Sequence, residues 1–527
     1  MPFRFLEDFM LPSLLAAGFS GLLLVAAFPR WNKSYLLAVA LLPLLWALRG
    51  QSRWTAFGLG FLSGLVFYLG LLSWIVYVTH VFGKLPLPLA FGVLLLLAGY
   101  LSLYRGLWAW GVVWAQERQI RLLWFAPALW VALELGQTYI ISGFPWELLG
   151  HGLYRHPLLL QLADLTGVYG LSFLLVLVNM GLLELLAPTP RGRRFRKLKV
   201  LGLLLVVLTG WLGYGYWRLG QVSQMINASP KLKVAVVQGN IKQGEKWDPK
   251  IVQATLETYG RLTAKTLERD QDRETGDQPP LVIWPETAAP FFFHHLPDRD
   301  TPLDTMVKET ARKNRIFLLF GAPAAEKRAE GERLFNRAYL LDPEGKVVGH
   351  YDKAHLVPFG EYVPLERILF FVSKMVPLIG DFAEGPVGKV VPFPESPLGV
   401  LICYESIFGY LSRAQVQNGA RLLVNITNDA WFGDTSAPYQ HMSMAVLRAV
   451  ENRVALARAA NTGISAFING DGRVLWTSPL NQEAAHTLKL PVLPGGSFYT
   501  AYGDLFAWTC LVLVAMALLF TRQRRWT

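Results

Sequence analysis

The chain has 527 residues, 53% of them hydrophobic and only 17% charged, with a formal net charge of +12. So apolar a composition excludes an ordinary soluble protein, and two cysteines, Cys403 and Cys510, exclude a stabilising disulfide framework. A diffuse basic excess on such a chain is explained more simply by cytoplasmic loops than by nucleic acid.

Taken from the N-terminus, apolar stretches at 10–28, 35–48, 56–80, 86–115, 122–138, 163–187 and 198–217 each approach the roughly 20 residues that span a bilayer, the second and fifth being short. The first has neither a strongly basic lead nor a small-residue cleavage site, which predicts a retained span rather than a signal peptide. After Trp217 the composition changes. KLKVAVVQGN, LVIWPET, RIFLLFGAP, GVLICYES and RLLVNIT are short β-branched runs separated by charged or turn-rich segments, the pattern of an α/β domain. A last apolar run at 503–521 returns to the membrane. The expected organisation is a transmembrane domain over 1–220 with about seven helices, a catalytic domain over 231–490, and a C-terminal span, about eight helices in all.

The charged loops predict orientation. Arg4, Arg49, Arg53, Arg118, Arg121, the run RGRRFRKLK and Arg522, Arg524 and Arg525 fall on one side, against Arg30, Lys33, Lys84 and Arg155 on the other. The richer side is cytoplasmic by the positive-inside rule, so an odd number of leading spans puts the α/β domain outside, in the periplasm of a bacterial inner membrane. This topology signal accounts for RGRRFRKLK without nucleic acid as a partner.

Within the α/β half, two strand-like runs end in reactive groups. Cys403 closes GVLIC and is followed by Tyr404 and Glu405; Glu286 closes LVIWPE behind Pro285. A lone cysteine in an apolar run is more often a buried hydrophobe, and a lone glutamate in a loop is more often solvated. Active sites of open α/β sheets nevertheless gather at strand ends, where a base and a nucleophile distant in sequence can meet. The segment YDKAHLVPFGEYVP adds Lys353 and Glu361 on a Pro- and Gly-rich loop; a lysine near a thiol lowers its pKa and donates to an oxyanion. Glu361 either orients Lys353 or contacts the reacting group. None of His294, His295, His350, His355 and His441 sits in a Cys/His signature, and adjacent His294 and His295 lack metal-site spacing, so Glu286 is the expected base.

Glu286 in IWPET, Lys353 in YDKAHLVPFGE and Cys403 in ICYE resemble, in that order, the Glu, Lys, Cys set of the nitrilase superfamily. With the multispan first half, the C-terminal span, VVQGNIKQGEKWD, NDAWFGDTSAPYQH and RAVENRVALARAANTG, the whole chain resembles the apolipoprotein N-acyltransferase family. The resemblance implies a four-layer αββα sandwich, Cys403 as nucleophile, Glu286 as base and Lys353 as the essential lysine. It also implies supporting or substrate-binding roles for Glu361, Tyr404, Glu405, Trp247, Trp431, Gln238 and Asn336. SGFPWELLGH, residues 142–151, is similar to the family's membrane motif, with Glu147 and His151 departing from its usual form.

The implied reaction takes a fatty acyl chain from a phospholipid, through a Cys403 thioester, to the α-amino group of a diacylglyceryl-cysteine on an apolipoprotein, with no cofactor and no metal. Keeping acyl chains out of water is worth about 0.8 kcal/mol per methylene, so the site is expected at the bilayer surface, with 289–295 and 367–380 as candidate interfacial arms or ordinary core. Two other readings are a membrane-anchored amidase hydrolysing C–N bonds and a non-catalytic membrane scaffold. The first needs free water at the thioester and the second predicts eroded reactive positions.

Overall fold

The computed structural model describes residues 2–187, 194–244, 249–268, 279–294, 299–328, 331–358, 360–362 and 382–520. It divides into a helical unit, Met1–Leu219 with Tyr502–Thr527, and an α/β unit, Gly220–Ala501.

Among the described residues of the chain, five helices are long and apolar enough to cross a membrane: Met10–Ala27, Arg53–Leu71, Leu87–Glu117, Val168–Leu186 and Phe195–Ala228. This is fewer than the eight expected from hydropathy, and the shortfall has local causes. Segment 35–48 breaks into a 3-10 turn, Ser34–Ala38, and a short helix, Leu42–Ala47, entered through Pro43. Helix Leu122–Tyr139 is 18 residues long but carries Pro127 and the polar side chains of Glu134 and Gln137, which take it out of the strongly apolar set. Leu505–Phe520 has 16 residues, about 24 Å of helix against a hydrocarbon core of about 30 Å. Hydropathy reports what a segment can place out of water, not whether its backbone stays helical.

Charged side chains in these helices are used in packing. Glu134, on helix Leu122–Tyr139, accepts from Trp130 Nε1 at 2.9 Å and from the Leu149 N–H at 2.8 Å, and the Arg105 guanidinium lies 3.6 Å from the Trp130 ring centroid. The 142–151 segment is thereby tied to that helix, with Glu147 and His151 buried. Glu184 pairs with Arg196.

The α/β unit holds twelve described strands: β1 (Lys231–Gln238), β2 (Leu281–Ile283), β3 (Phe317–Arg328), β4 (Gly331–Leu341), β5 (Val347–Asp352), β6 (Val390–Val391), β7 (Leu398–Ile402), β8 (Leu422–Thr427), β9 (Ala455–Ala460), β10 (Ala466–Ile468), β11 (Val474–Thr477) and β12 (Ala484–Pro491). They form two six-stranded mixed sheets, ordered β12-β1-β2-β3-β4-β5 and β11-β10-β9-β8-β7-β6. Each sheet has one parallel triplet, β1-β2-β3 or β7-β8-β9, flanked by antiparallel strands. Strands in the triplets are buried on both faces, hence their unbroken apolar runs. The sheets meet across β1 and β9, and helices cover their other faces.

Helix Pro249–Glu268 sends Val252, Leu256, Tyr259, Leu262 and Leu267 inward at helical spacing, where Tyr259 stacks on Trp284. Helix Pro302–Asn314 starts at a capping box in which Thr301 and Asp304 satisfy each other's backbone N–H groups. Of the candidate arm 289–295, Ala289 and Phe293 are core and Phe292 is exposed; segment 367–380 lies outside the described residues.

Candidate active site

Four elements converge at the ends of their strands. β2 runs out into Pro285 and Glu286, β4 carries Asn336, β5 ends at Asp352 and delivers Lys353, and β7 ends at Ile402 and delivers Cys403. Gly321 on β3 makes room for the first of these: a Cβ there would lie 2.5 Å from the Thr287 nitrogen and 2.8 Å from Glu286 Cα. Only glycine lets β3 pass so close to the Glu286 backbone.

Glu286, 7% exposed, accepts from Asn336 Nδ2 at 2.8 Å through Oε1 and from the Asn428 N–H at 3.0 Å through Oε2. Lys353, 1% exposed, places Nζ 2.9 Å from Glu361 Oε2, 3.0 Å from Glu361 Oε1 and 3.7 Å from Glu286 Oε1. Asn336 Nδ2 also donates to Glu361 at 2.9 Å, so one amide links both carboxylates. Glu361 Oε2 accepts further from the Val357 N–H at 2.8 Å. The alternatives left open for Glu361 are narrowed by this: its oxygens face Lys353, Asn336 and its own loop. Burial alone would lower the Lys353 pKa, but the Glu361 and Glu286 carboxylates and the Cys403 thiol outweigh it and push it upward, so the ammonium is held charged.

Cys403 takes φ +53°, a left-handed backbone that a non-glycine residue adopts only when its surroundings impose it. Burial and the Glu286 carboxylate push its thiol upward in pKa, while Lys353 and a Thr427 hydrogen bond act in the opposite direction. The thiol is therefore protonated at rest and needs a base beside it.

Beneath these groups Glu405, 0% exposed, works as a clamp. Its Oε1 accepts from Tyr351 Oη at 2.9 Å and from the Ala354 and His355 N–H groups at 2.6 and 3.0 Å, and its Oε2 accepts from the Ile402 N–H at 2.7 Å. One carboxylate thus fastens the Lys353 loop to the strand end carrying Cys403. Burial raises its pKa to about 7 against the pull of those donors and of Lys353. On the opposite face of β4 and β5, Arg337 grips Asp352 at 2.5 and 3.1 Å and also pairs with Glu326, which locks the register that sets Asn336 beside Lys353.

The other expected residues are placed differently. Tyr404 is buried in an aromatic cluster with His355 and Phe408. Gln238 is 0% exposed and spent on the fold, donating to the Pro479 and Gln482 carbonyls and accepting from Ser465 and Ser478, so it is not brought to the Lys353 cluster. Trp431 is half-buried in the turn Asp429–Phe432, and Trp247 lies outside the described residues. Among the described residues no group of His, Cys, Asp or Glu side chains is arranged to hold a metal ion.

Residues 20–181 match the family model described as the apolipoprotein N-acyltransferase N-terminal domain, and residues 233–491 match that described as carbon-nitrogen hydrolase. An apolipoprotein N-acyltransferase of Geobacter metallireducens is 44% identical over 97% of this chain and 95% of its own length. The chain belongs to the apolipoprotein N-acyltransferase family. A second member, from Methylococcus capsulatus, is 33% identical over 97% of each chain. Membership makes this an acyltransferase with a nitrilase-like α/β unit and an apolar helical part.

Several residues that build this acyltransferase's site were missed in the sequence. The Asn428 N–H, just past the end of β8 in the other sheet, holds Glu286, and a backbone donor leaves no trace in residue type. Asp429, His441 and Arg458, buried under Cys403, come from three separate elements. His441 was weighed only as a base, and its Nε2 faces the Cys403 carbonyl.

Proposed function

We propose that this chain transfers a fatty acyl group from a phospholipid to the N-terminal α-amino group of a diacylglyceryl-cysteine on apolipoproteins, through a thioester on Cys403. Glu286 takes the thiol proton, the thiolate attacks the ester carbonyl, Lys353 with a backbone N–H stabilises the oxyanion, and Glu286 returns the proton to the lysophospholipid oxygen as the ester C–O bond breaks. The acceptor amine, with an unperturbed pKa of about 8, attacks the thioester in its neutral form and loses a proton to the freed Glu286 carboxylate; the C–S bond breaks, and Glu286 passes that proton to the departing Cys403 thiolate. The observation that carries this reading is the buried Glu286–Lys353–Glu361–Asn336 cluster at the strand end where Cys403 is held left-handed, in a chain of this family.

In this reading the transmembrane domain spans 1–220, the catalytic domain 231–490, and a C-terminal helix 503–521 brings the spans to about eight. Glu361 and Asn336 serve the catalytic groups directly, Glu405 and Tyr404 shape the strand end, and Trp247 and Trp431 have substrate-binding roles. Positively charged loops on one side orient the catalytic domain to the periplasm of the inner membrane. Exposed Trp31 and Tyr35 near one set of helix ends and Trp46 and Trp54 near the other suit two interfacial aromatic belts.

The test is transfer from labelled phospholipid to a diacylated lipopeptide by the full chain in detergent. Cys403→Ala and Cys403→Ser should abolish transfer, Cys510→Ser should leave it intact, and phospholipid alone should add one acyl mass to Cys403. An active preparation that never carries the acyl adduct would rule out the two-step scheme.

A further inference from the structure

His441 is 1% exposed and belongs to helix Ala437–Asn452, under the turn that begins at Cys403. Its Nε2 lies 3.0 Å from the Cys403 carbonyl oxygen and 2.9 Å from Ser406 Oγ. Its Nδ1 lies 3.0 Å from Asp429 Oδ1 and 3.0 Å from Arg458 Nη2. Arg458 donates to Asp429 Oδ2 at 2.8 Å, and Thr427 donates to Asp429 Oδ1 at 2.9 Å. The imidazole is thus held at Nε2 by the turn that begins at Cys403 and at Nδ1 by Arg458 of β9 and Asp429 of the turn after β8.

Neither nitrogen is placed to serve as the general base, since one meets a backbone carbonyl and the other an ion pair. Nε2 carries a proton in the imidazolium and in the neutral form whose Nδ1 accepts from Arg458, and in both it can donate to the Cys403 carbonyl. Burial and the Arg458 cation lower the His441 pKa, while Arg458 and His441 hold the Asp429 carboxyl at about 2 in spite of its burial. The cluster is therefore the Arg458–Asp429 ion pair with an imidazole seated between it and the nucleophile's backbone.

In a trans peptide the carbonyl and the following N–H point in opposite directions. Drawing the Cys403 carbonyl down onto His441 turns the N–H of the same peptide unit, that of Tyr404, the other way. We propose that His441 is a positioning residue: by holding the Cys403 carbonyl it sets the 403–404 peptide plane, so that its N–H meets the acyl oxyanion together with Lys353. This rests on Cys403 being the nucleophile.

The test compares two reactions of Cys403 in the full chain in detergent, in a Cys510→Ser background. Acylation by fluorescent phosphatidylethanolamine passes through an oxyanion; alkylation by iodoacetamide does not. Loss of an oxyanion donor costs about 10²–10³-fold, so His441→Phe should slow acylation by about 100-fold while alkylation stays within about threefold. His441→Gln, which keeps an N–H near the carbonyl, should recover much of the acylation rate. The readout is the ratio of the two rates relative to the parent. A ratio unchanged in His441→Phe, or in His441→Ala should the phenylalanine variant fail to fold, overturns the proposal, as does a parallel fall of both reactions. Persistence of acylation in Cys403→Ala would instead overturn the nucleophile assignment and leave His441 as a purely structural residue.

Discussion

Replacing Lys353 by methionine keeps the length of the side chain and removes its charge. In the native site Nζ lies 2.9 Å from Glu361 and 3.7 Å from Glu286. At an effective dielectric of about 20 these separations correspond to attractions of about 6 and about 4 kcal/mol before desolvation is subtracted. Breaking a buried pair from one side typically costs 3–5 kcal/mol net, because the remaining charge keeps its burial penalty; here two carboxylates are left facing one Asn336 amide. Lys353→Met is therefore expected to lose about 3–5 kcal/mol of stability and, with an oxyanion donor gone, at least about 100-fold in acylation of Cys403. The double variant Lys353→Met/Glu361→Met removes one of the two stranded carboxylates and should regain part of the stability without regaining acylation. Thermal unfolding in detergent and intact-mass kinetics of acyl-enzyme formation measure the two effects. Acylation of the single variant within tenfold of the parent, or no gain in stability from the second substitution, would refute the reasoning.

Three further expectations follow from the same geometry. Glu405→Gln leaves at least one of four donors facing an amide N–H₂ group and should cost about 2–3 kcal/mol, read as a lower unfolding midpoint; an unchanged midpoint would mean that the clamp carries nothing. His355, packed 4.0 Å from the Phe408 ring centroid and bonded to Tyr410, has its pKa lowered from 6.5 to about 4 by burial and by Lys353. Between those values the unfolded chain binds a proton that the folded chain does not, so stability is full above about pH 6.5 and falls by up to about 3 kcal/mol on acidification to pH 4. His355→Phe should flatten that window, and a midpoint falling just as steeply in the variant would contradict the assignment. Gly321→Ala must push the Glu286 backbone aside, and a shift of about 1 Å at a catalytic group costs about 100-fold, so acylation should fall while iodoacetamide still labels Cys403. Loss of labelling as well would indicate a wider collapse.

Much of this was legible from residues alone. The composition separates an apolar helical part from an α/β part, and the periodicity of LVIWPET and GVLICYES puts Glu286 and Cys403 at strand ends. Five of the eight apolar runs appear as long apolar helices among the described residues, because a 3-10 turn and Pro43 interrupt 34–47 and because Leu122–Tyr139 carries Pro127, Glu134 and Gln137. The family resemblance implies functional roles for Gln238 and Glu405 alike; the first is hydrogen-bonded to the 465–482 segment and the second joins the Lys353 loop to β7.

Which segments leave water, and which strands end in a carboxylate, an amine or a thiol, can be read from residue order, since those depend on neighbours a few positions apart. It takes the folded chain to turn Glu361 to Lys353, to bring the Asn428 N–H just past β8 of the second sheet to Glu286, and to set an imidazole from a distant helix against the carbonyl of Cys403. Those contacts depend on strand order and on the packing of two sheets, which bring together residues that share no local pattern.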